Sequence, residues 1–124
     1  MHVNHFSPFV LSHERLDVYR AALELHALAS SLLPQRGFGV LRDQLERASL
    51  GVVLNIAEGA GRSSAGDKRR FYEMARGSAT ETAAILEVIY VRGIADRVTI
   101  QRLRRLVVRV VQMLTSLAGV RGLR

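Results

Sequence analysis

The sequence has no cysteine, no tryptophan and only two prolines, and aromatic residues make up just 6% of its 124 positions. Without cysteine there can be neither a disulfide framework nor a thiolate metal site, which fits a reducing compartment. Pro8 and Pro34 stand near the start, so residues 35–124 contain no proline to interrupt a helix, and long helices are favoured over a turn-rich β fold. Hydrophobic residues reach 48%, and with so few rings among them the core must be built from Leu, Val, Ile and Ala. The opening residues, Met1 to Phe6, lack the basic start and apolar run of a signal peptide. The longest uncharged stretch near the C-terminus, residues 110–120, is too short to cross a bilayer and is closed by Arg109. These absences point to a single soluble, cytoplasmic domain with no membrane contact, on a chain too short for two good cores.

Acidic residues are scarce in one half only. The chain carries 18 basic and 11 acidic residues, a net charge of +7, and every basic residue except Lys68 is arginine. Residues 1–61 hold six acids against five arginines, whereas residues 62–124 hold thirteen basic residues against five acids. Genome composition explains arginine in place of lysine but not a one-sided excess, and an asymmetric basic surface attracts polyanions, nucleic acid above all.

Hydrophobic spacing predicts four helices. Residues 1–14 are weakly patterned and read as a poorly ordered lead-in, residues 15–120 as the helical domain, and residues 121–124 as a basic tail. The first helix is expected over 16–33, stopped by Pro34. The second, over 40–58, carries a core stripe of Leu41, Leu45, Ala48, Val52 and Ile56. Leu50, Val53, Leu54 and Ala57 form a second apolar face, which a monomeric bundle does not need and which predicts a subunit interface. Gly59 is expected to end that helix. Ser64, with Asp67 three residues on, caps the third, which runs to about 91 with Phe71, Met74, Ala75, Ser78, Thr82, Ile85, Leu86 and Ile89 inward. The small residues Gly77, Ser78 and Ala79 at its centre would admit a close neighbour. Asp96 caps the fourth, over 97–118, with Leu103, Leu106, Val107, Val110, Leu114 and Leu117 inward and Val108 and Val111 off that stripe as further interface candidates. Short links give an antiparallel up-down-up-down four-helix bundle, an all-α fold.

Sites for chemistry are missing. No Glu is followed three residues later by His, so the di-iron pattern of helical bundles is absent, and no metal or cofactor is expected. His2, His5 and His13 lie in the lead-in, and His26 on the first helix reads as a surface or interface residue rather than a ligand. There is no nucleophile elbow and no paired base, so no catalytic residue is assigned and the chain is not expected to be an enzyme. Asn55, Glu58 and Arg62 form one polar cluster amid apolar neighbours. They either tie the end of the second helix to the following loop, with Arg62 paired to Glu58, or form a recognition site; loop anchoring is the commoner use.

The basic residues fall into two sets: Lys68, Arg69, Arg70 and Arg76 early in the third helix, and Arg102, Arg105 and Arg109 along one strip of the fourth. Charges on helices are usually a solvated face, but such faces intersperse acids and the fourth helix has none after Asp96. No aromatic residue interleaves these arginines, so phosphate contacts are expected, with little base stacking. An acidic protein partner would suit the same face.

Leu16-Asp17-Val18-Tyr19-x-x-Ala22, Leu41-x-x-Gln44-Leu45-x-x-Ala48 and Asn55-Ile56-Ala57-Glu58-Gly59-x-Gly61-Arg62, continued by Phe71, Ala75, Gly77-Ser78 and Glu81, resemble the markers of the four-helix-bundle proteins encoded in 23S rRNA intervening sequences. The resemblance implies an antiparallel bundle assembled as a ring-like homopentamer. It extends to the accessory variability protein of diversity-generating retroelements, a basic pentamer that binds a reverse transcriptase and its RNA. On that basis the expected function is a homo-oligomeric nucleic-acid-binding accessory protein, with RNA or an RNA–protein complex as partner; a scaffold for an acidic protein is the alternative.

Overall fold

In a computed structural model that describes residues 11–119, four helices follow a short 3-10 turn at Ser12–Arg15, and no strand occurs among the described residues. They are α1 (Asp17–Ser30), α2 (Gly39–Ala60), α3 (Ala65–Val91) and α4 (Arg97–Leu117). The 3-10 turn packs against α1 and α2, so the end of the expected lead-in is ordered; the rest of it, and the basic tail, lie outside the described residues.

Helix ends fall where terminal backbone groups find partners. The Ser64 hydroxyl accepts from the Asp67 amide at 3.1 Å and the Asp96 carboxylate from the Thr99 amide at 2.7 Å, as the sequence predicts. That bond holds the Asp96 carboxyl below the usual carboxylate range. Gly93 sits left-handed at φ 72° and closes α3, with the Ile94 amide reaching back to the Ile89 carbonyl at 3.1 Å and the Gly93 amide to that of Tyr90 at 2.9 Å. Two ends differ from expectation. α1 stops at Ser30, short of Pro34, and the Ser31 hydroxyl bonds the carbonyl of Leu28 at 3.2 Å beyond its end. α2 does not end at Gly59: it runs on to Ala60, and the Lys68 ammonium bonds the Ala60 carbonyl at 2.8 Å in place of a left-handed glycine cap.

α1 packs on α2 and α4, α3 packs on the same two, and the diagonal pairs do not meet, so a four-helix bundle fits. Leu25, Leu45, Ile56, Leu86, Ile89, Leu103 and Leu114 are fully buried and form one aliphatic core. At roughly 1.5–3 kcal/mol for each such side chain, that core supplies most of the drive to fold. On α3, Ala75, Thr82, Leu86 and Ile89 are buried as expected, and the inward face differs only over its first turns. Tyr72 is buried while Met74 is 47% exposed and Phe71 only half-buried. On α4, Ile100 and Ala118 are buried where Leu117 was expected, and Leu106 is half-buried.

The part of α3 that differs lies opposite Gly59. A Cβ there would stand 2.9 Å from the Tyr72 ring and 3.0 Å from the Phe71 Cβ, so α3 can lay Tyr72 flat only against a residue with no side chain. Burial in turn raises the Tyr72 phenol pKa. Gly51 makes a second close approach, 2.9 Å from the Ser78 hydroxyl, whereas Gly77 faces open space and brings nothing nearer. These contacts predict opposite outcomes for one chemical change. Gly59→Ala meets a packed ring and a backbone-fixed carbon, an overpacking cost of about 1–3 kcal/mol that outweighs the ~1 kcal/mol gained in helix propensity. Gly51→Ala meets a hydroxyl that can rotate away, and is neutral or stabilising. Urea unfolding of the two variants checks this: Gly59→Ala shifts the midpoint down and Gly51→Ala does not.

Candidate nucleic-acid interface

α4 is the most sharply two-sided helix. Ile100, Leu103, Val107, Val110 and Leu114 point into the core, while Gln101, Arg102, Arg104, Arg105, Val108, Arg109 and Gln112 are exposed. Among the described residues no carboxylate lies within 4.0 Å of Arg97, Arg102, Arg104, Arg105 or Arg109, for the ion pairs formed are Arg20–Asp17, Arg62–Glu58 and Arg70–Asp67. Five guanidiniums, always charged, therefore stand on α4 without a close ion pair, although Arg109 shares a cleft with Asp17 and Glu24, and Arg97 and Arg104 share one with Glu87.

They do not form the single strip expected. Arg104, Arg105 and Arg109 border one cleft of about 630 Å³ with Val108 and Gln112. Gln101 and Arg104 also border a second cleft, of about 320 Å³, which Tyr90, Glu87 and Arg97 complete from the end of α3 and the start of α4. The shared residues make one continuous trough along α4. Arg102 and Arg109 both reach the α1 side, where each borders a cleft with Leu28: Arg102 beside Ser31 and Leu32, and Arg109 beside Asp17 and Glu24. Arg97 and Arg104 were missed because charge periodicity alone ranks them no higher than the chosen strip; their own signal was the spacing Arg97, Gln101, Arg104, Val108, at four, three and four residues.

The early α3 set is largely spent on structure. Lys68 caps α2 through the Ala60 carbonyl. Arg76 is half-buried and donates to the Thr115 hydroxyl at 3.3 Å. Arg70 lies 4.0 Å from Asp67 and its guanidinium stands 4.5 Å from the centre of the Phe71 ring, with that of Arg62 at 4.6 Å. Arg69 is half-buried and has no carboxylate partner among the described residues. Thr115 is six residues, about 9 Å of helix, beyond Arg109, so the two basic sets do not merge.

The polar cluster divides. Arg62 donates to the Glu58 carboxylate at 2.6 Å, the loop-anchoring arrangement expected. Asn55 takes no part in it: its side-chain amide donates to the Gly51 carbonyl at 2.9 Å within α2. His26, expected as a surface or interface residue rather than a ligand, is half-buried and bonded through Nδ1 to the buried Ser49 hydroxyl at 2.8 Å, linking α1 to α2.

Of the residues expected at a subunit interface, Val53 is only 5% exposed, a correction that arises because α2 presents a wider face to its neighbours than one stripe allows; Val111 packs against the core but is half-buried and keeps part of its surface. Ala57 is half-buried; Leu50 and Leu54 are exposed, Leu54 at 57%. Val108 lies among the α4 arginines rather than beside Leu50 and Leu54.

Among the described residues no group of three or more His, Cys, Asp or Glu is placed to hold a metal, and no helix is long and apolar enough to cross a membrane. Residues 14–116 match the family model described as 23S rRNA-intervening sequence protein. No curated protein matches the chain.

Proposed function

We propose a function from one premise: the chain belongs to the 23S rRNA-intervening sequence protein family. On our reading it is a non-catalytic, cytoplasmic accessory protein that binds RNA, alone or within an RNA–protein complex such as one with a reverse transcriptase. It acts as a homo-oligomer, taken as a pentamer, of antiparallel up-down-up-down bundles. The pairing of Gly51 with Ser78 and Gly59 with Tyr72, in opposed order along α2 and α3, supports that direction of packing.

The observation that carries the RNA reading is the trough on α4. A polyphosphate keeps condensed cations along its backbone, and arginines without a close ion pair that neutralise its phosphates release those cations, with a gain in entropy. An exposed run with no acid after Asp96 has no internal reason to be so one-sided. Assembly is supported by Leu50 and Leu54 on α2 and Met74 on α3, exposed apolar side chains on helices that pack together. α2 is diagonal to α4, so assembly through that face leaves the trough open.

The test is a titration of a labelled RNA hairpin at several salt concentrations. With Arg97, Arg102, Arg104, Arg105 and Arg109 each meeting one phosphate, log affinity falls against log salt with a slope of about −4 or steeper. Binding indifferent to salt overturns the reading. Retention of an acidic protein from lysate that survives nuclease, with no affinity for the hairpin, moves the function to the acidic-protein scaffold.

A further inference from the structure

The smaller cleft at the α3–α4 turn differs in chemistry from the rest of the trough. Most of the trough offers arginine, glutamine and valine. The cleft of about 320 Å³ adds Tyr90, 47% exposed, and the carboxylate of Glu87, with Gln101 and the two arginines Arg97 and Arg104 at its sides. Tyr90 is separated from α4 in sequence by the Gly93 turn, which is why the sequence shows no aromatic among the arginines; the fold supplies one. The Gly93 and Ile94 amides are both bonded back into α3, which fixes the backbone of the turn and so sets the end of α3, with Tyr90, beside the start of α4.

Resting on the RNA reading, we propose that this cleft holds one unpaired nucleotide whose base carries an exocyclic amino group. Three features select that occupant. The volume is near the lower limit for small-ligand sites and admits a single nucleoside, not a duplex. An exposed tyrosine ring beside arginines is the arrangement on which bases stack while their phosphates are held. Glu87 repels a phosphate placed in the cleft itself, but accepts from an amino group on a base edge. Arg97 and Arg104, seven residues or about 10 Å of helix apart, then take the phosphates on either side.

Fluorescence anisotropy with three probes tests this: a 12-nucleotide oligocytidylate, an oligouridylate of equal length and a fully paired RNA hairpin. The wild-type protein binds oligocytidylate more tightly than oligouridylate. Tyr90→Ala weakens oligocytidylate binding about tenfold, the loss of one stacked base, and leaves the hairpin unchanged. Tyr90→Phe keeps the ring and stays within about twofold of wild type, which separates stacking from any disturbance of the turn. Glu87→Gln erases the preference for cytidine over uridine. If Tyr90→Ala weakens all three probes alike, or none, the cleft is not a base site, though the RNA reading stands. If the wild-type protein binds neither single strand nor hairpin, the RNA reading fails and this site falls with it.

Discussion

Changing Arg104, Arg105 and Arg109 together to glutamate lowers affinity for an RNA hairpin by about 10⁴-fold at 0.15 M salt. Each arginine–phosphate pair is worth about 1 kcal/mol at that ionic strength, since counter-ion release contributes roughly 0.9 of a decade of affinity per decade of salt. Removing three such pairs costs about 3 kcal/mol, and three new carboxylates facing phosphate add repulsion of about the same size. The bundle itself stays intact, because all three side chains are exposed and have no carboxylate partner among the described residues; exposed positions of this kind change stability by about 0.5 kcal/mol or less each. The informative control is a second triple, Arg15, Arg36 and Arg47 to glutamate, which alters net charge by the same amount at exposed positions before α1, between α1 and α2, and on α2. Anisotropy titrations with both variants decide between a site and a diffuse field. Equal losses mean that the overall charge is responsible, and the trough loses its assignment. A loss confined to the α4 triple places the contact there.

The order of the helices was readable because the determinants are local. Ser64 and Asp96 cap with their own side chains, and the leucine and valine spacing on α4 follows the helix period, so neither needs knowledge of a neighbour. What failed was decided by a partner helix. Gly59 reads as a stop signal when only its own propensity is considered, yet it is the place where the Tyr72 ring packs, and at that end of α3 Tyr72 is buried while Met74 faces outward. The excess apolar positions on α2 were seen correctly as an excess, but Val53 is claimed by the chain's own core and Leu54 is not, a division that depends on where α1 and α3 sit. The basic residues show the same limit. Lys68 looks like any other cation in a run of four; only the folded chain shows its ammonium on the last carbonyls of α2. The gathering of Tyr90, Arg97 and Arg104 into one cleft crosses a turn and leaves no periodic trace.

On the proposed homo-oligomer, substituting both Leu50 and Leu54 with glutamate yields single chains, with a light-scattering mass of 13.8 kDa in place of a multiple of it. Within one chain the change is mild, because both side chains are exposed and a carboxylate there stays hydrated. Between chains it is severe: a carboxylate pressed into an apolar contact without a partner costs several kcal/mol for each ion, and in a ring every interface carries the substitution. RNA affinity follows without any change to α4. A ring presents several troughs to one RNA, so engagement of the first raises the effective concentration of the next, and separating the subunits forfeits a factor of about 10²–10⁴. The single chain then binds with the shallower salt slope of one trough, whereas the triple change on α4 keeps the assembled mass and loses binding outright. A variant that remains assembled, with its melting temperature unchanged, removes Leu50 and Leu54 from the interface. Separation into single chains with full RNA affinity would show that one trough suffices and that assembly serves another purpose.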